Sequence, residues 1–151
     1  MPLQIFALLV AAGAALVAQN LLMAHITASV STVLITLVMN SAVGLVVLLG
    51  LLIGRFGPSG ISEAIGAFRI WSVLPGLLGS FFVFASIVGY QRLGPAATIA
   101  ILVASQLVFG LAFDIARSNA VNLQNHLPAL AGAVLLVSGA FLVASRRGLG
   151  G

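Results

Sequence analysis

Six polar side chains interrupt otherwise apolar stretches and have the chemistry to hold a small molecule: Gln19, Asn20, Asn40, Ser41, Gln106 and Asp114. Polar groups inside a bilayer are costly, so they are the default candidates for a substrate path. Gln106, Gly110 and Asp114 follow Thr98 at spacings of eight, four and four, which is read as one helix face. About 12 Å separates Gln106 from Asp114 along the axis, with Gly110 leaving room for a close approach between them. Gln106 either lines a central cavity or bonds across to another helix. Asp114 either guards one mouth or is a helix-end charge beside Arg117. Asn40, with Ser41 beside it and Thr36 one turn before, is the deepest amide by position. Gln19 and Asn20 lie about one turn from the end of the first helix, Gln19 on the face of Ala12 and Ala15 and Asn20 beside it with Gly13. The set is rich in amides and poor in carboxylates, which suits a neutral or weakly polar molecule better than a multivalent cation.

The surroundings make these residues informative. Only eight of 151 residues are charged, six Arg against Glu63 and Asp114, and 62% are hydrophobic. A soluble domain carries roughly a quarter charged residues, so this composition needs lipid as its solvent. The mean hydropathy of +1.28 agrees. The net charge of +4 has the sign of a nucleic-acid binder. The arginines, however, are mostly scattered singly at the ends of apolar runs, where they anchor helices, rather than clustered in a patch. Nucleic acid is therefore not an expected partner. With no Cys, thiolate metal sites and cysteine nucleophiles are excluded. His25 and His126 stand apart in loops, so neither a metal, a cofactor nor an enzymatic activity is expected.

Backbone groups in hydrocarbon must bond internally, so apolar runs of about 20 residues imply helices. Five are expected, over about 3–23, 30–54, 72–90, 95–116 and 128–145, in a single transmembrane domain spanning 1–151. The fold class is thus an all-α integral membrane protein. The N-terminus lacks the basic start of a signal peptide, and Leu3 onward is read as a retained first helix. Gly57-Pro58-Ser59-Gly60 opens a loop over 56–69. Within it Ile61, Ile65 and Phe68 recur at helical spacing, the pattern of a short amphipathic turn at the interface. Trp71 beside Arg69 reads as an interfacial anchor. A polar loop is expected over 117–127, and an unstructured tail from Gly148. Gly76-x-x-x-Ser80 in the third helix reads as a packing motif. Gly132 and Gly139, a heptad apart in the fifth, mark a packing or dimerisation face.

Arg and Lys accumulate on the cytoplasmic side of membrane proteins. Five helices place Arg55, Arg69 and Arg117 on one side and Arg92, Arg146 and Arg147 on the other, three against three. Three readings remain open: a helix end misplaced in so small a count, insertion in both directions with antiparallel self-pairing, or a partner chain of opposite orientation.

Leu93-Gly94-Pro95-Ala96-Ala97, then Val103-Ala104-Ser105-Gln106-Leu107 and Asp114, resemble the fourth helix of the bacterial YdcZ-type five-helix family, part of the drug/metabolite transporter superfamily. Ala12-Gly13-Ala14 followed by Gln19-Asn20 is similar to that family's first helix. There are departures: Ser105 stands where Gly is frequent, Ile115-Ala116-Arg117 follows the Asp, and Trp71 is unpaired. The resemblance implies half of an inverted-repeat transporter fold in the bacterial inner membrane. It would work on a small molecule as an antiparallel homodimer or with a related five-helix chain. The competing class is a non-transporting membrane subunit of a larger complex. No central carboxylate falls mid-helix, so the chain departs from small proton-coupled exporters that rely on one.

Overall fold

The computed structural model describes residues 3–117 and 127–145. His126, Arg146, Arg147, the glycine-rich tail and all of the 117–127 loop except its two ends lie outside the described residues. Every described element is helical: α1 (Leu3–Ala28), α2 (Val33–Phe56), α3 (Pro58–Ala67), a 3-10 turn (Ile70–Ser72), α4 (Val73–Arg92), α5 (Pro95–Arg117) and α6 (Leu127–Ser145). Five spans are long and apolar enough to cross a membrane: α1, α2, the 3-10 turn with α4, α5 and α6. Large apolar side chains along them, among them Leu48, Phe81, Phe109 and Leu135, are exposed, as expected where lipid covers the surface.

The chain forms two compact units, Met1–Val88 and Gly89–Gly151. In the first, α1 runs five residues past the expected end at Met23. His25, expected in a loop, stays in the helix, and so does Thr27. The Thr27 Oγ1 bonds the carbonyl of Met23 at 2.8 Å, so its polarity is satisfied without leaving the helix. Residues 29–32 make a tight turn, with Ser29 N–H donating to Ile26 O at 2.9 Å. Thr32, in extended conformation, then caps α2 by accepting from Leu34 N–H at 3.4 Å. Asn20, Met23 and Thr27, three and four residues apart, form the buried stripe of α1. Across from it Thr36 of α2 is fully buried.

The 56–69 segment is more ordered than a loop. Gly57 at φ +64° ends α2, its N–H bonded to Ile53 O at 2.8 Å. Pro58, which has no N–H to lose, starts α3. The chain leaves α3 through Phe68 and Arg69, where Ser72 Oγ accepts from Arg69 N–H at 3.2 Å.

In the second unit, the end of α4 turns into α5 through Gly94 at φ +79°, with Pro95 as the first helical residue. A Cβ on Gly89 would lie 2.6 Å from Thr98 Cγ2, so glycine is what allows this close crossing. Ala104 and Leu111 of α5, and Ala133 and Ala140 of α6, are buried at intervals of seven, the spacing of a continuous helix seam. The face expected on α6 from Gly132 and Gly139 lies one residue off this seam. Both glycines are exposed with nothing within 4 Å of an added Cβ. Gly76 and Ser80 are exposed as well, so that motif makes no packing contact within the described residues.

Candidate functional site

The polar chemistry of the first unit gathers between α1 and α2. Gln19 Nε2 donates to Asn40 Oδ1 at 3.0 Å, and the same amide lies 4.0 Å from Met23 Sδ, a weak acceptor. The two amides thus pair head to tail. Gln19 Oε1 is left as an acceptor and Asn40 Nδ2 as a donor, and neither bonds to another described residue. Exchanging oxygen and nitrogen in both amides keeps the same balance of one open donor and one open acceptor.

This pair borders a cleft of about 510 Å3 walled by Ala15, Ala18, Leu22, Ile26, Met39 and Val43, within the usual range for small-molecule sites. The alanines create the space and the unbranched methionines can reshape it. No charged side chain lines the cleft among the described residues. A charged occupant would lose its hydration there without compensation.

A hydroxyl relay adjoins the cleft at Thr36. Thr27 Oγ1 lies 2.8 Å from Met23 O and 2.9 Å from Thr36 Oγ1. Each hydroxyl carries one hydrogen, so when Thr27 bonds Met23 it is the Thr36 hydroxyl that bridges the helices. These groups satisfy one another. The amide pair is therefore the polar feature of the cleft that keeps a donor and an acceptor open.

Of the residues singled out in the sequence, Gln19 and Asn40 are brought together. Asn20, the next residue round α1, is buried and does not line the cleft. Ser41 is exposed and also falls outside it. Gln106 and Asp114 belong to the second unit and are exposed on α5, with open space beside Gly110 between them. Thr98 does not share their exposure: it is buried at the Gly89 crossing, with its hydroxyl on Gly94 O at 2.8 Å. Met23, Met39 and the role of Thr36 were not anticipated. The recurrence of Asn20, Met23 and Thr27 at helical spacing is the signal that marks where α1 is buried.

The second unit has a cleft of about 410 Å3 between α5 and α6, lined by Val108, Leu111, Ala133, Val134 and Ser138 among others. Its one hydroxyl, Ser138 Oγ, already bonds Val134 O at 2.8 Å. It offers a shape but no polar recognition.

A family model described as "Putative inner membrane exporter, YdcZ" matches residues 4–142. The inner membrane protein YdcZ of Escherichia coli strain K12 is 53% identical over 140 residues, which cover 93% of this chain and 94% of that protein. No solved structure matches the chain. With five helices able to cross a bilayer and a match along nearly its whole length, the chain belongs to the YdcZ family of multi-pass inner-membrane proteins.

Proposed function

We propose that the chain exports a small, uncharged or weakly polar organic molecule, working as a dimer of five-helix units in opposite orientations, with the α1–α2 cleft contacting the cargo. The observation that carries this reading is the Gln19–Asn40 pair, which holds one donor and one acceptor open in an otherwise apolar, uncharged cleft. Such a site can exchange the hydrogen bonds of a polar molecule for its own without stripping water from an ion.

The dimer rests on separate support. The helix number is odd and the arginines divide three against three. Ser41 and Gln106 are exposed along apolar spans, a costly arrangement in hydrocarbon. A second unit of the same or a related chain, in the opposite orientation, covers such groups and completes an inverted repeat. Gln106 and Asp114 are then further candidates for the path, Asp114 near the membrane edge.

Vesicles containing the purified chain and loaded with a panel of radiolabelled neutral metabolites test the site. At least one compound should leave faster than from empty vesicles. Gln19→Ala and Asn40→Ala should slow it roughly fivefold to tenfold, the worth of one or two hydrogen bonds. Full flux in both variants removes the cleft as the site. An absence of flux for every compound of the panel, and for charged metabolites loaded in the same way, favours a non-transporting subunit. Because the chain has no native Cys, cysteines introduced singly at the two ends of α6 and labelled from each side of the membrane read its orientation directly. A single orientation excludes the antiparallel homodimer.

A further inference from the structure

We infer that the corner between α2 and α3 binds an anionic phospholipid, with the phosphate on Arg55 and Arg69 and an acyl chain in the groove between the two helices. At Gly60 a Cβ would lie 3.1 Å from both Leu52 Cδ1 and Phe56 Cβ, so α3 rests directly on the last turns of α2. Leu49 and Leu52 of α2, with Ile61, Ala64, Ile65 and Phe68 of the α3 segment, line a groove of about 350 Å3. The side chains that line it are all apolar, and it lies where α2 gives way to Gly57 and Pro58, at the edge of the hydrocarbon.

Both arginines follow closely on groove-lining residues in the chain. Arg55 is three residues beyond Leu52, on the same side of α2. Arg69 directly follows Phe68 in extended backbone. Glu63 falls on the opposite side of α3 from Ile61, Ala64, Ile65 and Phe68, at about 100° per residue. The Arg55 guanidinium sits 6.0 Å from the centre of the Phe56 ring, which steadies it without neutralising it. Neither arginine forms an ion pair among the described residues. Two guanidiniums without ion pairs, one three residues beyond groove-lining Leu52 and the other next to groove-lining Phe68, match a phosphodiester headgroup above a hydrocarbon tail. Phe68, Ile70 and Trp71, all exposed, extend the same surface as interfacial anchors.

Trp71 is the single tryptophan of the chain and lies two residues from Arg69, so its fluorescence reports what occupies the corner. The full chain is placed in phosphatidylcholine bilayers containing a small fraction of brominated phosphatidylglycerol or of brominated phosphatidylcholine. The anionic quencher should act at about thirtyfold lower mole fraction, the preference expected of two basic side chains near a lipid surface. The R55Q/R69Q double variant should lose that preference, while Arg117→Gln keeps it. Millimolar inorganic phosphate should leave the quenching unchanged, because binding needs the acyl chain; loss of the preference in phosphate overturns the groove's part in it. Equal quenching by the two lipids, or a preference that survives in the double variant, overturns the proposal. Protection of Trp71 from both quenchers places a protein, such as a second copy, over the corner and overturns it as well.

Discussion

The α1–α2 pair and the α5–α6 pair solve the same problem by opposite means. Lipid is as apolar as leucine, so burying leucine against leucine gives helices little reason to associate in a membrane. The α5–α6 pair associates by shape. Ala104, Ala133 and Ala140 let two helices approach closely along a seam, and these helices pack far more extensively than α1 with α2. The α1–α2 pair associates by polarity, through Thr27–Thr36 at 2.9 Å and Gln19–Asn40 at 3.0 Å, with a cleft between. Dispersion along a seam is lost only when the helices part. A hydrogen bond can be exchanged for one to a ligand with little change in energy. The packed pair therefore suits a framework, and the bonded pair suits a site that must open, bind and release.

Substitutions can break this contrast, and their expected effects are ranked. Ala104→Leu forces a larger side chain into the seam and should destabilise the chain by about 2–3 kcal/mol, the upper part of the usual range of about 1–3 kcal/mol for overpacking. Unfolding in mixed micelles titrated with sodium dodecyl sulfate measures it, and an unchanged midpoint would show that the seam does not hold the pair. Thr36→Val removes the hydroxyl bridge and keeps the volume. A loss of about 1 kcal/mol is expected, within the range for hydrogen bonds between membrane helices; an effect as large as that of Ala104→Leu would erase the distinction between the two pairs. Gln19→Ala and Asn40→Ala, singly and together, should reveal a coupling of about 0.6 kcal/mol in stability. Their flux should fall far more than their stability, and parallel losses in both would assign the amides to structure alone. Gly139→Ala, beside the seam rather than in it, should change stability by less than about 0.5 kcal/mol; a loss above 1 kcal/mol would move the seam onto the glycine face.

The five spans were legible because hydrocarbon leaves the backbone no alternative to helix, and long apolar runs record that directly. Their ends were less so. Thr27 has the polarity of a loop residue, and only its bond to Met23 O shows that it belongs to a helix. The amphipathic turn expected near Ile61, Ile65 and Phe68 emerges as the ten residues of α3. Asn40 stood out as the deepest amide and Gln19 as one of two near a helix end. Their pairing depends on how α1 and α2 are set against each other, which neither helix encodes alone. Gln19 and Asn20 are adjacent and chemically alike, yet one borders the cleft and the other is buried elsewhere. Ala104 and Ala140 were illegible for a related reason: in a chain so rich in small residues, composition alone does not separate the packed face from the face turned to lipid.

The turn at 29–32 joins α1 to α2 through Ser, Val, Ser and Thr, with no charge among them. Ser29 Oγ bonds Ile26 O at 2.7 Å and Thr32 Oγ1 accepts from Leu34 N–H, so part of its polarity is already spent on its own backbone. Threading this tip through a bilayer during biogenesis therefore strips water from no ion. The first helical hairpin carries no electrostatic latch at its tip, and the work of choosing which way the nascent chain faces falls to the arginines beyond it.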